Sequence, residues 1–338
     1  MSRAVSADDQ DRKPYGLESP VGSGGTEMCS ESVIREEHRL RVDGETVAAW
    51  IYRPQSHNGA GPCVILGHGF AAVRRAGLDA FAQRFSQAGI TAVAFDYRHF
   101  GDSSGEPRGL ISIAEQLKDW REVLKYVTQL DGVDPERIAI WGTSFAGGHA
   151  ISLAASESSI AAVIAQVPFM DGLLCMRAMG YRQAFRLGVA AVADLLRTAI
   201  GGKRVWIRVV GPPGSLAAMT TPDSEPGYMA MVNGVPWTNA IPASAMLYSC
   251  VYRPIRLARK AKCPVLLCIA DNDAITPPQG PLRAARKMSA ATVLRYPAGH
   301  FDVYRGRQFE EVVRDQIAFL RASLKMGEPA GNGREQVF

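Results

Sequence analysis

The sequence predicts a doubly wound, mostly parallel α/β sheet interrupted by an inserted, mainly helical lid. Three observations carry this expectation. Short, fully apolar runs alternate with segments of helical period, the signature of strand–helix–strand units. The alternation stops between about Phe169 and Ser249, where Met, Leu and Ala dominate, and then resumes. Between these parts, Arg137–His149 reads as an apolar strand, a tight turn with Ser144 at its tip, and a helix opened by small residues. The implied division is a flexible polar leader over 1–31, the first part of the core over 32–168, the insertion over 169–250, the second part of the core over 251–325, and a polar tail over 326–338.

Each element has its own reason. Val33–Val42 and Thr46–Arg53 are strand-like runs joined by Asp43-Gly44, a strong hairpin signal. Pro62–Leu66 is a wholly apolar strand of the kind buried on both faces of a parallel sheet, and it ends in Gly67-His68-Gly69-Phe70. Leu78–Ala88 is an amphipathic helix stopped by Gly89. Ile90–Phe95 is the next buried strand, followed by a polar loop from Asp96 to Ser103. Ile113–Leu130 has helical period, and Asp134–Arg137 lead into the strand before Ser144. Ile160–Val167 closes the first half. In the insertion, Phe185–Ile200 has helical spacing, Val205–Val210 is extended, and Gly211–Gly227 is rich in Pro and Gly. The second half brings a helix at Pro254–Ala261, a strand at Pro264–Ala270, a helix at Pro281–Met288, a strand at Thr292–Tyr296 and a last helix from about Phe309 to Leu324.

Composition excludes several classes. The 338 residues are 47% hydrophobic and 21% charged, with a net charge of +5. The densest basic run, Arg256, Arg259, Lys260 and Lys262, has no interleaved aromatics, so it reads as a solvated face and no nucleic-acid partner is expected. No uninterrupted apolar stretch reaches about 18 residues, so no membrane partner is expected. The N-terminus lacks the apolar run of a signal peptide, and the expected location is the cytoplasm. The six cysteines form no C-x-x-C pair. Cys63, Cys263 and Cys268 lie in or beside buried strands and read as reduced core residues. No metal-ligand spacing, dinucleotide fingerprint or phosphate loop occurs, so no cofactor and no metal are expected. The leader could serve as an arm onto a second copy in a homodimer.

The chemistry lies in three loops. Gly142-Thr143-Ser144-Phe145-Ala146 follows the G-x-S-x-G layout that exposes a serine on a strand-to-helix turn, with Ala146 in the last place and Gly147 and Gly148 after it. An acid loop, Ala270–Pro278, holds Asp271 and Asp273. A histidine loop, Pro297–Phe301, holds His300. Serine, acid and histidine thus follow in that chain order, each just past the carboxyl end of an apolar strand, where ligands of such sheets bind.

On these residues the chain, from about Val33 to Leu324, resembles the α/β-hydrolase superfamily. The elbow matches at Ser144, and Gly67-His68-Gly69-Phe70 is similar to the oxyanion-loop motif. Asp96-Tyr97-Arg98-His99-Phe100-Gly101-Asp102-Ser103 resembles the D-Y-R-G-x-G-x-S loop with His99 for a glycine, and the acid loop resembles G-x-x-D-x-x-V-P-P with Ala270 for Gly and Thr276 for Val. The resemblance is nearest to lid-bearing esterases, prolyl-peptidase-like hydrolases and thioesterase- or acyltransferase-like members of polyketide pathways. It puts the acid at Asp273; Asp271 and Asp171 are the alternatives.

The expected catalytic residues are therefore Ser144 as nucleophile, His300 as base, since an ordinary imidazole pKa near 6.5 suits it to take and return a proton, and Asp273 to orient the imidazole. The backbone N–H groups of Phe70 and Phe145 are the expected oxyanion hole. Asp302 is too near His300 in sequence to orient it. His68 and His99 read as loop-shaping residues, His149 as a packed core histidine, and Cys175 and Cys250 as lid residues without a base. The implied activity is hydrolysis of a small-molecule ester or thioester with a small to medium apolar acyl group. The alternative is acyl transfer to an alcohol or amine, with a peptidase weaker because the insertion carries few acids (Asp171, Asp194, Asp223, Glu225) to hold a substrate amine.

Overall fold

The computed structural model describes residues 34–55 and 59–327; the leader over 1–31, Cys29 and nearly all of the tail lie outside them. Its main sheet has eight strands, and their order follows from the chain. β1 (Ile34–Val42) and β2 (Glu45–Arg53) form the expected hairpin, with Asp43 and Gly44 both at positive φ, as the tight turn requires. β3 (Gly61–Gly67), β4 (Thr91–Phe95), β5 (Val133–Thr143), β6 (Ala162–Gln166), β10 (Val265–Ala270) and β11 (Ala291–Tyr296) then run parallel to one another. The order across the sheet is β1-β2-β4-β3-β5-β6-β10-β11, with β2 antiparallel to both neighbours.

Helices cover both faces, so the central strands β3 and β10 are buried along their whole length. On one face α1 (Leu78–Gln87) and α9 (Gly306–Ser323) pack Phe81, Phe85, Val312, Val313 and Leu320 against the sheet. On the other, α2 (Ile113–Val127) and α3 (Phe145–Ala154) bury Trp120, Val123, Ala150 and Ile151. α2 starts where Ser112 accepts a bond from the Glu115 N–H and Glu115 occupies the first turn, a side-chain cap of the common kind. Trp120 lies so close under the sheet that a Cβ on Gly67 would stand 2.3 Å from its ring. Its indole N–H is satisfied by the Tyr97 hydroxyl at 2.8 Å.

Two details differ from the sequence reading of the core. β5 begins at Val133, not Arg137; its pairing with β3 shifts register between Gly61 and Cys63, and that irregularity accommodates Pro135. The helix expected at Pro254–Ala261 is two 3₁₀ turns, Pro254–Arg256 and Ala258–Lys260. The segment is short, and Pro264 ahead of it disfavours continued helix. The following helix α8 spans Gln279–Ala285.

Between β6 and β10 the chain leaves the sheet. This inserted segment holds α4 (Gly172–Met179), α5 (Tyr181–Ala199), α6 (Ser224–Met231) and α7 (Ala245–Val251). It is not helical alone: β7 (Trp206–Val210), β8 (Ala217–Met219) and β9 (Ile241–Pro242) form a small second sheet in the order β8-β7-β9. The Pro/Gly-rich stretch thus contains β8 and the first turn of α6. Buried Asp194 of α5 ties the parts together: it accepts the N–H of Val205 at 2.9 Å and of Ser244 at 3.2 Å and pairs with Arg204.

Candidate active site

Ser144 sits between β5 and α3 with φ 55° and ψ −116°, a sparsely populated conformation for a residue with a side chain. Neighbouring strands impose it. The Ser144 N–H donates to Gln166 O at 2.8 Å, and its carbonyl accepts from Gly147 and Phe169. The turn is possible only because side chains are missing around it. A Cβ on Gly142 would lie 2.1 Å from the Ala146 carbonyl oxygen, and one on Gly147 would lie 2.7 Å from the Pro168 ring. The close approach falls on Gly142 and Gly147, which leaves room for the buried methyl of Ala146 at the variant position. Behind the turn, a buried polar chain runs from Trp141 through Gln316 and Gln166 to Thr143.

The loops after β10 and β11 bring the other two groups to the same point. They are stitched together by Asp271 N–H to Tyr296 O and Asn272 N–H to Ala298 O. His300 Nε2 lies 3.1 Å from Ser144 Oγ, and His300 Nδ1 lies 2.7 Å from Asp273 Oδ2. The second carboxylate oxygen of Asp273 accepts the N–H groups of Ile275 and Thr276 at 2.8 and 2.7 Å. All three side chains are buried or nearly so. With the carboxylate on Nδ1, that nitrogen carries the imidazole proton, and Nε2 is left to accept the serine proton.

The other acids are engaged elsewhere. Asp271 pairs with Arg295. Asp171 caps α4 and pairs with Arg253. Asp302 accepts the Gly299 N–H and so shapes the histidine loop. His68 bonds the Gly69 carbonyl at 3.0 Å, and burial pushes its pKa down to about 4. His149 lies between the Tyr252 hydroxyl and Gln116, with burial pushing it down to about 3. His99, at positive φ, bonds Glu115 at 2.9 Å. These three hold loops and helices in place and do not touch Ser144.

Phe70 and Phe145 flank Ser144, their rings edge to face at 5.5 Å. Gly69 abuts Ser144: a Cβ there would be 3.1 Å from Ser144 Cβ. The Phe145 amide opens α3, where the helix dipole favours negative charge. Three further positioning groups have no role assigned to them by sequence reasoning. Tyr228 of α6 donates its hydroxyl to Phe70 O at 2.9 Å, and Trp237 donates to Ala71 O at 2.8 Å, so the inserted segment pins the loop that carries the Phe70 amide. Thr276 places its hydroxyl 2.7 Å from Asp273 Oδ2 and 2.9 Å from Val167 O. Tyr228, in the short helix α6, and Trp237 carry no periodic signal in the sequence; Thr276 was visible only as a departure from the acid-loop pattern.

Ser144 opens into a cavity of about 220 Å³. Its walls are Met176 and Met179 of α4, Leu187 of α5, and Met219, Met246 and Leu247, with Cys175 and Cys250 beside them. Burial pushes the Cys175 thiol up, and neither cysteine has a base at hand. Among the described residues, no Asp or Glu lines the cavity. Among the described residues, no group of three His, Cys, Asp or Glu converges where a metal ion could sit, and no helix is long and apolar enough to cross a membrane.

Comparison with known proteins bears on the family and the fold. Residues 64–315 match the alpha/beta hydrolase family. The quorum-quenching protein AidA of Acinetobacter baumannii is 40% identical over 275 residues, covering 81% of this chain and 90% of AidA. The polyketide transferase af380 of Aspergillus fumigatus is 26% identical, covering 83% of this chain and 96% of its own. The crystal structure of the alpha/beta hydrolase GrgF from Penicillium sp. sh18 superposes with a TM-score of 0.72 at 23% identity, over 86% of this chain and 99% of GrgF.

Proposed function

The chain belongs to the alpha/beta hydrolase family, and from that premise we propose that it cleaves a carboxylic ester or thioester of a small to medium apolar acyl group through an acyl-Ser144 intermediate. The observation that carries this reading is the unbroken chain Ser144 Oγ–His300–Asp273 opening into an apolar cavity. Ser144 Oγ attacks the acyl carbon as His300 Nε2 takes its proton. Asp273 steadies the imidazolium, and the Phe70 and Phe145 amides receive the oxyanion. Collapse breaks the bond to the alcohol or thiol, which leaves with the proton from His300. A water then repeats the sequence on the acyl carbon and releases the acid. The inserted segment acts as a lid, and its cavity, just under the ~300–1,000 Å³ of drug-sized sites, suits a small to medium chain. A peptidase reading lacks support, because no acid in the cavity could hold a substrate amine.

The test is Ser144→Ala against p-nitrophenyl esters and acyl thioesters of graded chain length. Turnover is expected to fall by at least about 10³-fold with the melting temperature little changed. Retained turnover in the folded variant would sink the proposal.

A second reading transfers the acyl group to an alcohol or amine. It is favoured by the apolar walls, which disfavour water at the acyl-enzyme, and by the polyketide transferase relative. Adding a nucleophilic alcohol to the thioester assay separates the two: an acyl-alcohol product formed at the expense of free acid indicates transfer.

A further inference from the structure

α5 has two unlike faces. Leu187, Ala190, Ala191 and Asp194 are buried against the rest of the inserted segment. On the opposite side Tyr181, Phe185, Val189, Val192, Leu196 and Ile200 form a continuous exposed stripe running to the residue that caps the helix. The exposures are large: Tyr181 is 84%, Phe185 72% and Ile200 85% accessible. With Leu195 at its edge, the stripe exposes on the order of 800 Å² of apolar side chain. That exceeds the ~300–600 Å² of the largest patch on an ordinary monomer and matches what one partner contributes to a standard interface.

We propose that this stripe is the homodimer interface of the protein, two α5 helices crossing antiparallel about a two-fold axis near Val189 and Val192. The spacing of the six residues is four, four, three, four and four, and it reads the same from either end. Such a spacing suits a two-fold axis, because each helix meets its copy reversed and residue i of one faces residue j of the other as j faces i. The aromatic end of one stripe then covers the aliphatic end of the other over a length of about 28 Å. An anionic lipid surface is the other class of occupant for an apolar helix face with arginines beside it. Arg186, however, is turned back onto the protein, donating to Gly214 O at 2.7 Å. The pairing also braces the site: Ala184, Leu187 and Gly188 of the same helix line the cavity beside Ser144. A dimer would thus hold one cavity wall in place. Only this consequence rests on the acyl-ester reading; the interface itself does not.

Sedimentation equilibrium of the full chain, over ~1–100 µM, tests the interface independently of activity. The expected result is twice the chain mass, with Phe185→Glu and Leu196→Glu each weakening the dimer by at least about 100-fold. An unchanged far-ultraviolet circular dichroism spectrum and melting temperature show that the variants are folded. A wild type that stays monomeric at the highest concentration overturns the proposal, as does a dimer indifferent to both substitutions. A monomer that co-sediments with phosphatidylglycerol vesicles also overturns it, in favour of a lipid surface.

Discussion

Ser144, Asp273 and His300 stand on loops locked by backbone hydrogen bonds to adjacent strands, whereas the cavity walls come from inserted helices held chiefly by apolar contact. The first region is overdetermined. Ser144 keeps its strained backbone because its N–H and carbonyl are both bonded to β6 and its flanks. In the second region the polar ties run mostly within the segment itself, as from Gln183 to the Ser215 and Ala217 carbonyls, from Asn239 to β7 and around Asp194, while Asp171 with Arg253 and the bonds from Tyr228 and Trp237 tie it outward. The contrast teaches where change is tolerated. Met176, Met179 and Leu187 can vary in size and shape without moving the Ser144, His300 and Asp273 atoms, because they lie on α4 and α5, away from the backbone bonds that fix the three site loops. Tyr228 and Trp237 join the two regions through side-chain hydrogen bonds, and the Phe169 N–H joins them through the Ser144 carbonyl.

The largest expected effect lies in the first region. Asp273→Asn removes the carboxylate that holds the Nδ1–H tautomer of His300, and kcat should fall by about 10³–10⁴-fold. Asp271→Asn breaks only a partly exposed pair with Arg295 and should change kcat by less than about twofold. Steady-state kinetics on both variants would decide the assignment, and equal losses would break it.

That pair of aspartates also marks how far the sequence could be read. The strands were legible because burial on both faces writes them as continuous apolar runs, and the serine turn because Gly142 and Gly147 must lack side chains. Asp271 and Asp273 are two residues apart on one turn; what separates them is which carboxylate reaches His300, a tertiary fact that only a motif resemblance anticipated. The inserted segment was less legible. Of its small sheet only β7, expected as the extended run Val205–Val210, was legible; β8 and β9, with three and two residues, are too short for periodicity to register. The bonds of Tyr228 and Trp237 to Phe70 and Ala71 span more than 150 residues and leave no local trace.

The second prediction concerns the buried histidines that support the first region. His68 and His149 are buried, and desolvation lowers their pKa values to about 4 and about 3. The unfolded chain, with pKa near 6.5, binds protons that the folded chain refuses. Stability is therefore whole above about pH 6.5 and is lost as pH falls toward 4, by roughly 2 kcal/mol for each histidine between pH 6.5 and 5. Thermal melts across that range should flatten in His149→Gln relative to wild type. An unchanged slope would mean that His149 is not held neutral by the fold.

Smaller effects are expected where the regions meet. Tyr228→Phe keeps the ring packed on Trp237 but removes the bond to Phe70 O. A lost bond of about 1 kcal/mol should lower kcat about five- to tenfold if it steadies the Phe70 amide at the oxyanion. KM should barely move, since the cavity walls stay in place. A rise in KM at constant kcat would instead assign Tyr228 to substrate binding.

The smallest effect belongs to the walls. Met176 lines the cavity near Cys250, its sulfur 3.6 Å from that thiol, and neither touches Ser144 or His300. Met176→Ala lengthens the space open to an acyl chain by a few methylene groups. Each methylene that finds apolar cover is worth about 0.8 kcal/mol, so kcat/KM for esters one or two carbons longer should rise about three- to tenfold relative to the shortest ester. For that shortest ester kcat should stay within about twofold, because the serine turn and the histidine loop draw no bond from α4. A panel of p-nitrophenyl esters read for kcat and KM separately tests both halves of the claim. If kcat fell equally for every chain length, the wall would be supporting the reactive groups after all, and the division between an overdetermined reactive core and a replaceable wall would fail at this residue.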